Sequence, residues 1–126
     1  MRQYFNHIIT EQFGAVTLFE IQGDITHHSE PFFSDAFRNG NHQKHPRILL
    51  KIDKEAYINS GGISVLIQFL AKSQQNSQLV GITGVSDHFK KIFKMVGITK
   101  FAHLYDSVEN AVEALSDKSC SSAAAC

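Results

Sequence analysis

The side chains best suited to chemistry in this chain of 126 residues are seven histidines, and they do not form a ligand set. His42 and His45 have an H-x-x-H spacing, but in a Gly/Asn/Pro loop with no third ligand nearby, whereas zinc requires three or four N, S or O donors. His27 and His28 fall at a strand-to-helix junction, where turn and capping roles are ordinary, and His7, His88 and His103 stand alone. No metal site and no cofactor are therefore expected. Neither a nucleophile elbow, a Walker loop, a dinucleotide fingerprint nor a Cys-x-x-Cys pair occurs, and no nucleophile-base pair can be assembled, so an enzyme is not expected. What remains is Ser60-Gly61-Gly62. Small residues at a helix start expose backbone N–H groups at the positive end of the dipole, which suits a phosphate. The same residues equally suit a capped helix with Ser60 as its N-cap.

The elements that must position this turn follow from periodicity. His7 to Thr10 and Ala15 to Gly23 suggest paired strands around Gly14, with Thr17, Phe19 and Ile21 on one face. Ser29 is placed to cap a short helix that carries Phe32, Phe33, Ala36 and Phe37 and stops at Asn39-Gly40. Ile48 to Ile52 is nearly continuous apolar sequence, as expected of a central strand covered on both faces. Ile63, Leu66, Ile67 and Leu70 repeat at helical spacing after the turn, until the polar run at 73–78. Leu79 to Thr83 is the next strand. Ser86 and Asp87 open a third helix with Phe89, Ile92, Phe93 and Val96 on one face, closed by Gly97. A short strand over Phe101 to Leu104 precedes a last helix with Val108, Ala111, Val112 and Leu115, for which Asp106 and Glu109 form a capping box. The order is ββαβαβαβα, one α/β domain over residues 1–116, followed by a loose Ser/Ala tail at 117–126.

Composition narrows the partners. Twelve basic against twelve acidic residues leave no net charge, and a nucleic-acid binder should carry a basic footprint instead. That zero is a cancellation: residues 87–100 are basic through Lys90, Lys91, Lys94 and Lys100, and residues 106–117 acidic through Asp106, Glu109, Glu113 and Asp117. Lys51, Gln68 and Lys72 interrupt the longest apolar stretches far short of the ~20 residues that span a bilayer, and the N-terminal MRQYFNHIIT lacks the apolar run expected of a signal peptide. Cytoplasmic localisation without membrane insertion is expected. Cys120 and Cys126 both lie in the tail, where a disulfide would staple nothing.

The segment YINSGGISVLIQFLAK resembles the signature of the STAS family, the anti-sigma factor antagonist domains, through Ile58, Ser60, Gly62, Ile63, Val65 and Leu66. GDITHH at 23–28 is similar to the family's opening of its first helix, and residues 86–115 resemble its C-terminal third. The resemblance implies a STAS fold: a mixed four- to five-stranded sheet with about four helices packed mainly on one face. It also implies binding to an anti-sigma factor that is itself a serine kinase, with phosphorylation of the turn ending the binding and a cognate phosphatase restoring it. The implied surface comprises Thr26, His27, His28, Asn59, Ser60, Gly61, Gly62 and Ser64, on a monomer or weak dimer.

The sequence departs from the family pattern at three places: Asn59 replaces the turn acid, Gly61 the second hydroxyl and Lys51 the acid ending the preceding strand. Ser60 is the acceptor that the resemblance then implies, with Ser64 the only other nearby hydroxyl. A scaffold that is never phosphorylated, or a STAS subunit of a lipid-transport ABC complex, is the alternative.

Overall fold

Two strands, β1 (His7–Phe13) and β2 (Val16–Gln22), pair antiparallel about a tight turn in which Gly14 adopts φ +59°, a left-handed conformation that glycine takes without a Cβ penalty. The computed structural model describes residues 6–39 and 47–116, with side chains described for residues 36–39 excepted. The His42/His45 spacing, both cysteines and the side chains of Ala36 and Phe37 therefore lie outside what is described.

After β2 come α1 (Glu30–Asn39), β3 (Arg47–Ile52), α2 (Ser60–Gln75), β4 (Leu79–Thr83), α3 (Asp87–Val96), β5 (Ala102–Tyr105) and α4 (Val108–Ser116). The sheet runs β1-β2-β3-β4-β5, parallel from β2 onward. The near-continuous apolar strand β3 is central, as its composition predicts, because both of its faces are covered.

That strand order dictates the layers. Each crossover from β2 to β5 steps in the same direction, and right-handed crossovers then place α1, α2 and α3 on one face. There Phe33, Leu66, Leu70 and Phe93 close over Phe19, Ile21, Leu50 and Ile82. Burying each such side chain contributes about 1.5–3 kcal/mol. The last helix, α4, crosses to the opposite face, where Ala111 and Leu115 pack on Val16, Leu18, Leu49 and Leu79. The expected mixed sheet with helices mainly on one face is thus observed with five strands and a three-to-one division of helices.

Four local expectations need correction. Thr26, not Ser29, caps the first helical segment: Thr26 Oγ1 accepts from the His28 N–H at 3.1 Å, and Ser29 Oγ accepts from the Thr26 N–H at 3.0 Å. The cap falls three residues earlier than expected because a short 3-10 turn (His27–Ser29) precedes α1. Asn59, not Ser60, caps α2, since its amide oxygen reaches the Gly62 N–H at 2.8 Å. Ser107 caps α4, its hydroxyl accepting from the Asn110 N–H at 3.1 Å, while Asp106 is drawn to Lys90. Val96 is exposed instead of packed, because the chain turns at Gly97 (φ +88°) before the sheet can cover it. Ser86 does cap α3 as expected, accepting from the Phe89 N–H at 3.3 Å.

Candidate functional site

The turn at Ser60 is built from two loops at the carboxyl ends of β2 and β3. Asp53 begins the second loop as a tight turn, its carboxylate accepting from the Glu55 N–H and its carbonyl from the Ala56 N–H, each at 3.0 Å. Ala56 and Ile58 are buried and anchor the loop to the core, leaving Tyr57 half exposed between them. The first loop is laced to it: the Ile25 N–H donates to the Tyr57 carbonyl (2.9 Å), the Asn59 N–H to the Ile25 carbonyl (3.2 Å), and the Tyr57 N–H to Asp24 Oδ1 (3.0 Å). Asn6 adds two donations from its side-chain amide, to the carbonyls of Gln22 and Asp24. Ile25 and Ile58 thereby form a parallel bridge that extends the β2–β3 pairing past the end of the sheet.

These bonds press the first loop directly against the start of α2. A Cβ on Gly62 would fall on the Ile25 carbonyl oxygen, and a Cβ on Gly61 would come within 3.0 Å of the His27 Cβ and backbone nitrogen. Gly62 is thus required by close approach rather than by torsion angle, and Gly61 leaves a side chain only tight space beside His27. Gly61 stands where the family pattern carries a second hydroxyl, and the backbone of His27 fills the adjoining space.

The consequence is a small exposed platform. His27 and His28 are exposed, with ring centroids 3.9 Å apart. Ser60 and Ser64 are exposed on the first turns of α2, Asn59 and Gly61 lie partly covered between them, and Thr26 and Gly62 are buried beneath as scaffolding. The eight expected positions therefore sit together where the 3-10 turn after β2 meets the start of α2, six of them at least partly exposed. Because Asn59 performs the capping, the Ser60 hydroxyl makes no hydrogen bond among the described residues. Asp24, Ile25 and Asn6, which fix the two loops together, escaped sequence reasoning. An acid directly after Gly23 at a strand end was the available signal.

A second feature lies on the α4 side of the sheet. At nine residues and about 1.5 Å per residue, α4 spans only about 14 Å and leaves the carboxyl half of that face open. A cleft of about 680 Å³ results, lined in part by Glu20, Lys51, Lys90 and Tyr105. Lys51 lies 4.0 Å from Glu20, and Lys90 reaches Asp106 at 3.2 Å and Asp87 at 3.6 Å. The Tyr105 hydroxyl is buried without a hydrogen-bond partner among the described residues, and burial pushes its phenol above the ordinary tyrosine range. Among the described residues no group of three or more His, Cys, Asp or Glu side chains comes together as a metal site, and no helix is long and apolar enough to cross a membrane.

Residues 7–111 match the STAS domain model, and the chain belongs to the STAS family. Solved structures agree with that fold. A candidate anti-sigma factor antagonist from Thermotoga maritima superposes with a TM-score of 0.75 at 12% identity, over 87% of this chain and 95% of the other. An anti-sigma factor antagonist from Mycobacterium paratuberculosis gives 0.74 at 17% identity, over 89% and 95% of the two chains. The Bacillus cell fate determinant SpoIIAA in its phosphorylated form gives 0.56 at 14% identity, over 86% and 98%. No curated protein is similar enough in sequence to match.

Proposed function

We propose that the chain is an anti-sigma factor antagonist of a cytoplasmic partner-switching system, binding an anti-sigma factor that is also a serine kinase. The platform of His27, His28, Ser60 and Ser64 is the binding surface, and phosphorylation of Ser60 releases the partner until a cognate phosphatase removes the phosphate. One observation carries this reading: Ser60 is exposed at the first residue of a 16-residue helix, and its hydroxyl is unused because Asn59 does the capping.

The physical chemistry favours a switch at that position. A phosphate adds a charge of about −2, which the positive end of the α2 dipole accommodates without unfolding the helix. The same charge on a complementary protein surface is repulsive or costly to desolvate.

A constitutive scaffold is the second reading, favoured by Gly61, which removes the other hydroxyl of the turn. Mass spectrometry of the chain after incubation with its partner kinase and ATP separates the two. Phosphate should map to the peptide containing Ser60 and disappear in Ser60→Ala. An unmodified wild-type chain would leave the scaffold reading. Binding to the anti-sigma factor should survive Ser60→Ala and weaken in Ser60→Glu; equal binding by both variants would sink the switch.

A further inference from the structure

We infer that copies of this chain associate head to tail, the basic end of α3 on one copy meeting the acidic outer face of α4 on the next. At the last turn of α3, Met95 is 84% exposed and Val96 43% exposed, the former an unusually bare side chain for its size. Lys91 lies one turn before Met95 at i, i+4 spacing and so beside it on the helix surface. Lys94 adjoins both, and the Lys100 side chain runs back over Gly97 to the same corner.

These three lysines differ from their neighbour. Lys90 is held by Asp87 and Asp106, whereas Lys91, Lys94 and Lys100 are exposed and have no ion pair among the described residues. Lys94 is favoured by the negative end of the helix dipole, but that accounts for one charge of three.

The complement is on the same molecule. Glu109 and Glu113 are spaced i, i+4 on the outer face of α4, exposed and without an ion pair among the described residues, because Ala111 and Leu115 take the inner face. Since α3 packs on one face of the sheet and α4 on the other, the two patches do not neutralise each other within one chain. Between two copies they do, and the contact covers Met95 and Val96 with the aliphatic stems of the glutamates. An anionic membrane would satisfy the lysines alone and leave Glu109 and Glu113 without a counterpart. A second copy satisfies both.

Such a contact is heterologous, using different surfaces on its two sides, so each added copy leaves one basic and one acidic end free and assembly is open-ended. It is also salt-sensitive, because the screening length falls from about 30 Å at about 0.01 M salt to about 3 Å at about 1 M.

Sedimentation velocity on the full chain tests the inference. At about 0.01 M salt the weight-average sedimentation coefficient should rise with concentration, and at about 1 M it should return to the monomer value. Lys91→Glu with Lys94→Glu, and separately Glu109→Lys with Glu113→Lys, should each give a monomer with an unchanged circular dichroism spectrum. An equimolar mixture of the two double variants should associate again. A wild-type chain that stays monomeric at low salt, or a mixture that does not recover association, overturns the inference. So does binding to phosphatidylcholine vesicles containing phosphatidylserine that is lost in the lysine variant and accompanied by no self-association.

Discussion

The carbonyl oxygen of Ile25 occupies the place that a side chain on Gly62 would need, while accepting the N–H of Asn59 at 3.2 Å. One backbone group thus fixes both the composition of the turn and its position against the neighbouring loop.

Gly62→Ala should therefore destabilise the fold by about 1–3 kcal/mol, the usual cost of forcing an extra methyl into a packed site. Gly14→Ala is the comparison, because its Cβ would meet no atom within 4 Å and the cost is limited to the left-handed backbone. Urea denaturation of both variants should rank Gly62→Ala as the more damaging. The reverse order would mean that Ile25 can move away without penalty.

Asn59→Ala should cost about 0.5–2 kcal/mol by leaving the Gly62 N–H without its acceptor. Asn59→Asp retains the oxygen and adds a negative charge at the helix start, so it should match or exceed the native stability near neutral pH. Thermal melts of the pair test the assignment of Asn59 as the cap. Equal loss in both variants would contradict it.

Ser60 should behave oppositely to its neighbour. With no hydrogen bond to lose, Ser60→Ala should change stability by less than about 0.5 kcal/mol. Ser60→Glu should be neutral or slightly stabilising through the dipole. If either variant melts like Asn59→Ala, the hydroxyl has a structural task and is not free for modification.

Tyr105 sets an alkaline limit. Its pKa is raised in the folded chain by burial, so the native state holds the phenolic proton more tightly than the unfolded state does. The stabilisation this gives is complete below the unfolded value of about 10 and is lost as pH rises through the folded value. Denaturant midpoints should consequently fall above about pH 10, and the fall should be shallower in Tyr105→Phe. At pH 7 that variant should be as stable as the native chain or more so, because the buried hydroxyl has no partner to lose. An identical alkaline slope in both chains would remove Tyr105 from the account.

The element order and the central place of β3 were legible because runs such as Ile48 to Ile52 and the spacing of Leu66, Leu70 and Phe93 report burial directly. The turn was recognisable as a motif through Ile58, Ser60 and Gly62, although Asn59 and Gly61 depart from the family's residue types. Of the caps only Ser86 was, because Ser29, Ser60 and Asp106 compete with Thr26, Asn59 and Ser107 one to three residues away, and only the local chain path decides which oxygen reaches a free N–H. The clasp of Asp24 and Ile25 on Tyr57 and Asn59 joins positions more than thirty residues apart, a pairing that no local pattern encodes.

The order of strands in the sheet repeats the order of strands in the chain. Each strand after the first therefore has its pairing partner immediately before it in the chain and at the open edge of the sheet, beginning with the β1–β2 hairpin. Growth is by addition at one side, with no insertion between strands and no threading. β3 needs only the hairpin as its template, and the turn carrying Ser60 rests on Ile25 and His27, so the contacts that shape the site all come from chain that precedes β4 and β5.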